Sequence, residues 1–264
     1  MTSAQQIVSR FEQYAPRSLA VPGDPIGWQL GNPEAEVKRV LVTLDVRPEV
    51  VAEAIAGHFD FIFAHHPAMF VPATNLDERV PQNHMYAELL RHHIVVYGAH
   101  TNLDNAHAGM NDWLAAALGL RDVHAFIDEG ELSGMGRIGE LPHAMTLADF
   151  VSLVKQQYQL PALRLVARDT QRSIHSVAIL GGSGAKTYAD AQAAGADVLV
   201  TGDITYHTGH DMLAADMPVI DAGHHIEQIM KPKVAELLSR WATENNWSVT
   251  VAYSKLNTDP FTFM

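Results

Sequence analysis

Cysteine is absent from the 264 residues of this chain. Its absence excludes disulfide bonds, thiolate metal sites and cysteine nucleophiles, and it fits a reducing compartment. Long apolar runs are also missing, since none approaches the roughly 18 residues that a transmembrane helix needs. Residues 1–16 lack the basic and apolar regions of a signal peptide. We therefore expect a soluble, cytoplasmic protein that has no membrane partner.

Positive charge is the second shortage, because 18 lysines and arginines stand against 30 aspartates and glutamates, a formal net charge of −12. Such an acidic chain is a poor nonspecific ligand for nucleic acid or for an anionic membrane. Hydrophobic residues make up 47% of the chain, which is enough for a sizeable core. The unusual abundance is histidine, with 15 residues, many of which fall in short motifs.

Strand-like and helix-like segments alternate along the first part of the chain. Strands are predicted at 39–45, 59–64 and 94–98, with helices at 47–57 and 82–92 between them. Strand, helix and strand joined by short connections indicate parallel pairing of the strands.

The same alternation returns after a glycine-rich crossing at 128–139. We predict an α/β fold for the single domain 1–264, built from two similar halves of about 1–128 and 129–264 with sheets flanked by helices. The strands predicted in the second half lie at 176–180, 197–200, 218–221 and 248–253.

A pair of histidines, His65 and His66, directly follows the predicted strand 59–64 and precedes Pro67. Adjacent side chains that leave a strand point in opposite directions, so they suit two neighbouring ions better than one. One ligand and one residue that orients a ligand is a further arrangement. For this motif taken alone, two loop histidines packed against Pro67 are an even alternative.

His100 and Asp104 follow the predicted strand 94–98. The Asp104 carboxylate is a ligand that divalent ions prefer, whereas His100 is a candidate either to bind an ion or to orient a ligand by hydrogen bonding. An Asx turn or a helix cap made by Asn102, Asp104 or Asn105 is the favoured explanation for this motif in isolation.

His224 and Glu227 follow the predicted strand 218–221 and begin a helix. Positions i and i+3 share one helix face, so the imidazole and the carboxylate can converge on one centre. Helix capping, with Glu227 near the positive end of the dipole, is the alternative. Because ligand sites of open α/β sheets lie at the carboxyl ends of the strands, we predict that the three motifs form one metal site at that edge.

Two further segments are candidates to support this site. Asp203 and His207 could act as general acid or base, or could orient a ligand. A glycine loop that enters a helix could offer backbone N–H groups to an anion, although it lacks the P-loop spacing. Simple chain turning and helix capping by Asp203 explain these segments at least as well. The loop residues are Gly181, Gly182, Ser183 and Gly184.

Taken in order, these motifs resemble the family of GTP cyclohydrolase 1 type 2 homologues, the interacting-factor-three-like proteins. The resemblance extends over most of the chain, and the ordered set is far more specific than any single motif. It is carried by Phe63-Ala-His65-His66-Pro67, Gly98-Ala-His100-Thr-Asn-Leu-Asp104, Gly181-Gly-Ser-Gly184, Thr201-Gly-Asp203 with His207, and Asp221-Ala-Gly223-His224-His225-Ile-Glu227.

The resemblance implies two divalent ions per chain. In the family pattern, His66 and Asp104 bind one ion, His65 and His224 bind the other, and a glutamate, here Glu227, bridges them. Some members place this glutamate one residue later in the chain. Zinc, iron, manganese, cobalt and nickel all suit imidazole and carboxylate ligands, so the sequence does not choose among them.

The family name implies hydrolytic opening of the guanine ring of GTP. The resemblance therefore favours a metal-dependent hydrolase that acts on a nucleotide or on another cyclic or phosphorylated small molecule, with Glu227, His207 and Asp203 in catalytic roles. A non-catalytic metal-handling protein and a regulatory metal-binding protein are the alternatives. Many relatives contain an inserted middle domain of roughly a hundred residues, for which this chain is too short. The compact form implies a ring-shaped homohexamer.

Overall fold

The computed structural model describes residues 1–128, 130, 132 and 134–264. Part of the glycine-rich crossing predicted at 128–139 therefore lies outside the described residues. The chain divides into two compact units, of which unit 1 contains residues 1–106 and 228–258, and unit 2 contains residues 107–227 and 259–264.

Helices and strands alternate along much of the described chain. The α-helices are α1 (Ala4–Tyr14), α2 (Pro48–Ala56), α3 (Pro81–Arg91), α4 (Thr101–Asn105), α5 (Met110–Ala117), α6 (Leu147–Gln157), α7 (Tyr188–Ala193), α8 (Tyr206–Ala214) and α9 (Met230–Glu244). The strands are β1 (Gly27–Leu30), β2 (Arg39–Thr43), β3 (Phe61–Ala64), β4 (Val95–Gly98), β5 (Arg121–His124), β6 (Arg137–Thr146), β7 (Arg164–Val166), β8 (Ser173–Ile179), β9 (Val198–Thr201), β10 (Val219–Asp221) and β11 (Thr250–Tyr253).

The sheet of unit 1 has the strand order β1-β4-β3-β2-β11. Strands β4, β3, β2 and β11 are parallel, and β1 pairs antiparallel with β4. The central strand β3 reads Phe-Ile-Phe-Ala and is buried along its whole length, as expected for a strand covered on both faces. The parallel pairing predicted here is confirmed, and it brings the carboxyl ends of β2, β3 and β4 to one edge of the sheet.

The sheet of unit 2 has the strand order β5-β6-β8-β9-β10-β7. Its parallel centre consists of β8, β9 and β10, while β6 and β7 flank this centre in the antiparallel direction. Strands β9 and β10 are entirely buried. The predicted α/β class, with two sheets flanked by helices, is confirmed.

The sequence does not predict four of the observed strands, which are β1, β5, β6 and β7. Three of them are short strands at sheet edges, where partial burial leaves no long apolar run to mark them. The fourth, β6, contains Gly139 and Pro142, and its pairing with β8 shifts register between Glu140 and Met145. Proline and glycine are breaking signals in a strand pattern, so the sequence conceals this strand.

Local capping sets the start of several helices. At α1, Ser3 Oγ accepts the N–H of Gln6 while Gln6 Oε1 accepts the N–H of Ser3, which is a complete capping box. Thr146 begins α6 by accepting the N–H of Asp149. None of the described helices combines the length and the apolar character that a membrane crossing requires.

Candidate metal centre

Two neighbouring parallel strands of unit 1 lead into histidines. His65 and His66 directly follow β3, and His100 follows β4 after one alanine. The ring centroid of His65 lies 5.0 Å from that of His66 and 5.2 Å from that of His100. One nitrogen of each ring lies within 4.8 Å of the others, so these three side chains form a group that could hold a metal ion.

The Nδ1–H group of each of these rings donates to an oxygen. The acceptors are the Ala99 carbonyl for His65 at 2.8 Å, Asp45 Oδ1 for His66 at 2.6 Å, and Asp24 Oδ1 for His100 at 2.9 Å. Because a carbonyl or an ionised carboxylate only accepts, the proton belongs to Nδ1 and a neutral ring presents its lone pair at Nε2. Metal-binding histidines are characteristically oriented in this way by an outer oxygen.

Asp24 holds both His100 and the residue that follows it. Its Oδ2 accepts the backbone N–H of Thr101 at 3.0 Å and also the Thr101 hydroxyl. Burial alone would raise the pKa of Asp24, but the hydrogen bonds from His100 and Thr101 and the charge of His100 outweigh burial and lower this pKa. An ionised Asp24 keeps His100 as a donor at Nδ1.

Asp104 lies in α4, one helical turn after His100, and is buried. Its Oδ1 lies 3.5 Å from His65 Nε2, so a carboxylate oxygen stands beside an imidazole nitrogen. The Asn102 side chain ties α4 to the rest of unit 1 by donating to the Ala15 carbonyl at 2.9 Å. The structure therefore places His65 and Asp104 side by side.

In unit 2, His224 and Glu227 belong to the 3₁₀ segment His224–Ile229. His224 Nε2 lies 3.2 Å from Glu227 Oε2, and Glu227 is only 2% exposed. The Nδ1–H group of His224 donates to Asp203 Oδ2 at 2.7 Å, so Nε2 again carries the lone pair. Asp203 thus orients a ligand candidate, which is one of the roles considered for it from the sequence.

The backbone around Asp203 and His224 is fixed on both sides. Asp203 has a φ of 58°, in the left-handed region that aspartate tolerates better than most residues. Asp221 is the buried last residue of β10, and its carboxylate accepts the N–H groups of Ile204 at 3.2 Å and Gly223 at 3.1 Å. One carboxylate therefore braces the residue after Asp203 and the residue before His224.

Gly182 keeps space free beside the donor atoms of unit 2. A Cβ at this position would lie 2.6 Å from Glu227 Oε1 and 3.3 Å from His224 Nε2. Gly182 also has a φ of 67°, which residues with a side chain rarely adopt. Glycine is therefore needed here both for its backbone conformation and for clearance of Glu227.

The N–H groups of the glycine loop are partly used within unit 2. Gly181 donates to Asn111 Oδ1 at 2.9 Å, and Gly184 donates to Thr201 Oγ1 at 3.0 Å. These bonds reduce the number of N–H groups that the loop can offer to an anion. Binding of an anion by the loop, Gly181, Gly182, Ser183 and Gly184, stays a prediction.

His207 is an exposed residue near the start of α8. Its ring packs edge-on against the ring of Tyr206 at a centroid distance of 5.5 Å, and Tyr206 also packs against His210 at 4.8 Å. Within the described part of the chain, His224 forms a hydrogen bond with Asp203 but not with His207. A role for His207 as an acid or base stays a prediction.

The donor atoms of each unit fit a divalent ion. Imidazole nitrogens and carboxylate oxygens suit first-row divalent metals. The hydrogen bonds at Nδ1 of the histidines leave the lone pair at Nε2 for a metal ion. The space beside Gly182 is a second indication of a metal site, because a Cβ at this position would fill the space next to the donor atoms. Asp104 and Glu227 are buried carboxylates, whose desolvation a divalent cation would offset.

Asp24 and Asp45 are absent from the site predicted by sequence. Asp45 comes two residues after β2, the parallel neighbour of β3, so the strand-end rule that selects His65 also points to this carboxylate. Asp24 lies 76 residues before His100 in a stretch rich in glycine and proline, where no periodic pattern identifies it.

Imidazole and carboxylate groups that follow the strands of an α/β fold define a candidate divalent-metal protein. The family model described as Duf34/NIF3 (NGG1p interacting factor 3) matches residues 2–260. The chain belongs to this family, and the resemblance seen in the ordered motifs is confirmed.

Similar proteins agree over nearly the whole length. A protein of Streptococcus pneumoniae serotype 4 is 40% identical over 261 residues, covering 98% of both chains. One of Lactococcus lactis subsp. lactis is 40% identical over 254 residues, covering 95% of both. Each is called a GTP cyclohydrolase 1 type 2 homolog. The solved structure of a Bacillus cereus protein related to NIF3 matches with a TM-score of 0.94 and 27% identity, covering 100% of both chains.

Proposed function

We propose that this chain binds two divalent metal ions and is a metal-dependent hydrolase. The observation that carries the proposal is the common orientation of His65, His66 and His224, each of which donates from Nδ1 to an oxygen and keeps Nε2 for an ion. The proposed ligands are His65, His66, Asp104, His224 and Glu227.

The chain's own residues have distinct tasks in this proposal. Asp45 and Asp203 orient His66 and His224, and they increase the basicity of these imidazoles through the shared hydrogen bonds. Glu227 supplies a buried negative charge. A bound divalent ion would polarise the substrate and lower the pKa of a bound water toward about 7.

The substrate class follows from the relatives and from one exposed ring. The relatives' name makes GTP the first substrate to test, within a class of nucleotides and other cyclic or phosphorylated small molecules. Phe70 is 59% exposed, and its ring stands edge-on to His100 at a centroid distance of 5.6 Å. Its free face could stack on a planar heteroaromatic ring.

A non-catalytic metal-handling or regulatory protein is the second candidate. The observation that favours it is the set of contacts made by Asp203 and His207, the two candidates for an acid or base. Asp203 is engaged in orienting His224, and His207 packs against Tyr206 on an exposed helix face. Neither arrangement requires a substrate.

Metal analysis combined with a substrate screen separates these functions. We expect about two divalent ions per wild-type chain, because the donor set exceeds what one four-coordinate ion needs. Asp104→Ala should bind fewer ions, since it removes a buried carboxylate oxygen beside His65. Asp190→Ala, at an exposed position in α7, is the control and should keep the wild-type metal content.

GTP and related nucleotides are then assayed with the metal-loaded wild type and with Asp104→Ala. Hydrolysis that disappears in Asp104→Ala but not in Asp190→Ala supports the enzyme. Stoichiometric metal without turnover of any nucleotide or cyclic phosphorylated compound favours metal handling instead. One ion or none in metal-replete wild type contradicts the two-ion proposal.

Self-association into a homohexamer is part of the proposal and follows from the resemblance alone. Analytical ultracentrifugation measures it directly, since a chain of 28.9 kDa and its hexamer differ sixfold in mass, about 170 kDa for the hexamer. A monomer at micromolar concentration would contradict this part without affecting the metal ligands of each unit.

A further inference from the structure

The segment 254–258, which follows β11, is held to the rest of unit 1 by side-chain hydrogen bonds. Ser254 Oγ donates to Glu53 Oε2 at 2.5 Å. The ammonium group of Lys231, buried in α9, donates to the Leu256 carbonyl at 3.0 Å. Both bonds lie before Thr258, so the segment is anchored independently of that residue.

Thr258 itself reaches a carboxylate that orients a histidine. Its hydroxyl donates to Asp45 Oδ2, while Asp45 Oδ1 accepts the Nδ1–H of His66 at 2.6 Å. The two oxygens of Asp45 are therefore bonded on opposite sides, to Thr258 and to His66. A carboxylate held at both oxygens cannot rotate about its Cβ–Cγ bond without breaking one of these bonds.

We propose that Thr258 is a positioning residue for the metal ligand His66 and acts through Asp45. The inference rests on the proposed metal centre, but not on hydrolysis. Without the hydroxyl, Asp45 loses one of the hydrogen bonds that hold its carboxylate, and His66 Nε2 is directed less strictly to one position. Outer residues that orient a metal-binding histidine typically contribute roughly 10- to 100-fold to metal affinity.

Lys231 also interacts electrostatically with Asp45 and Glu53. Burial lowers the pKa of Lys231, while the negative charges of Asp45 and Glu53 favour its protonated form. The hydrogen bond from Lys231 Nζ to the Leu256 carbonyl anchors the segment two residues before Thr258. Because Lys231 and Ser254 both remain bonded when Thr258 is altered, we expect a Thr258 variant to keep the segment in place.

Cobalt(II) alone is the probe for this inference, because its visible absorption reports the ligand geometry. Thr258→Val preserves side-chain shape but removes the hydroxyl, and Thr258→Ser restores it. The matched control is Thr243→Val, which removes a hydroxyl that donates to the Ser239 carbonyl at 3.1 Å within α9. We expect Thr258→Val to bind cobalt about 10-fold more weakly, with an altered absorption envelope.

Thr258→Ser should recover both the affinity and the spectrum, and Thr243→Val should match the wild type. In the cobalt-loaded protein, the exchangeable imidazole N–H signal of His66, shifted by the ion, should move in Thr258→Val and return in Thr258→Ser. Wild-type affinity and spectrum in Thr258→Val, or an equal loss in Thr243→Val, would overturn the inference.

The outcomes also separate this inference from the proposed function. If the wild type binds cobalt without hydrolysing any substrate, the hydrolase proposal fails, and the cobalt affinities still decide the role of Thr258. If the wild type binds no cobalt, the metal centre and the inference fail together.

Discussion

The two units hold their candidate ligands by different physical means. In unit 1, three imidazoles are each fixed by a hydrogen bond from Nδ1 to a carbonyl or a carboxylate. In unit 2, one imidazole is fixed in the same way by Asp203, but the carboxylate beside it also depends on the backbone, because Gly182 leaves space for Glu227. We infer that loss of an orienting hydrogen bond weakens metal binding by degrees in either unit, whereas filling the space beside Gly182 in unit 2 displaces a ligand outright.

The largest effect is expected for Gly182→Ala. The new methyl group would collide with Glu227 Oε1 at 2.6 Å, a contact that cannot be kept without moving the carboxylate. We expect metal affinity to fall by about 100-fold or more, measured by competition with a chelator, because a ligand rather than its support is displaced.

The matched control for this variant is Gly195→Ala. Gly195 has a φ of 88°, but no atom lies within 4 Å of a Cβ built there. Each substitution should lower the free energy of unfolding by about 1–2 kcal/mol through the left-handed backbone, with a further loss only in Gly182→Ala. Equal metal affinity in the two variants would show that clearance of Glu227 is unimportant.

The next largest effect is expected at Asp203. Asp203→Ala removes the acceptor for His224 Nδ1–H and should weaken metal binding roughly 10- to 100-fold. Asp203→Asn keeps an oxygen acceptor and tolerates the left-handed backbone, so its loss should be several-fold smaller. Isothermal titration with zinc measures both. Equal losses in the two variants would mean that charge, and not orientation, is what Asp203 supplies.

The smallest effect is expected at Asp24, and it concerns stability. Asp24→Asn weakens the bonds to His100 and Thr101 and should lower the free energy of unfolding of the metal-free protein by about 1–2 kcal/mol at neutral pH. The lowered pKa of Asp24 means that its contribution is fully present above the ordinary aspartate value of 3.8. The contribution is lost as pH falls through the lower pKa of the folded protein.

Denaturant unfolding of wild type and Asp24→Asn across this pH range tests the sign. The difference between them should shrink only at acidic pH. Asp77→Asn is the control, because Asp77 also has a pKa lowered by hydrogen bonds from Arg79 but has a side chain that is 38% exposed. A difference for Asp24→Asn that is constant down to strongly acidic pH would mean that the ionised carboxylate contributes nothing specific.

Much of the α/β core could be predicted because its parallel strands are buried. Strand β3 is an uninterrupted apolar run that is followed directly by His65, so strand and candidate ligand are visible together. The same strand-end rule would have selected Asp45. Edge strands such as β5 are mostly exposed and carry no such signal.

The remainder of the candidate site depends on contacts between residues distant in sequence. Asp24 meets His100 across 76 positions, and Thr258 meets Asp45 across 213. No local pattern encodes such a pairing. The glycine loop shows a different difficulty, because its composition suggests anion binding by N–H groups, while the structure shows Gly182 needed for clearance of Glu227. The sequence alone does not distinguish a glycine that is needed because it has no Cβ from a glycine whose N–H group binds an anion.

The division of unit 1 into residues 1–106 and 228–258 has a consequence for synthesis of the chain. Strand β11 pairs with β2, but the ribosome reaches residue 228 only about 120 residues after residue 106. At roughly 5–20 residues per second, the 153 residues from His100 to Tyr253, the last residue of β11, take about 8–30 seconds to synthesise. During this interval nascent unit 1 exposes an unpaired edge at β2. The histidines that follow β3 and β4 are therefore synthesised well before the strand that closes their sheet.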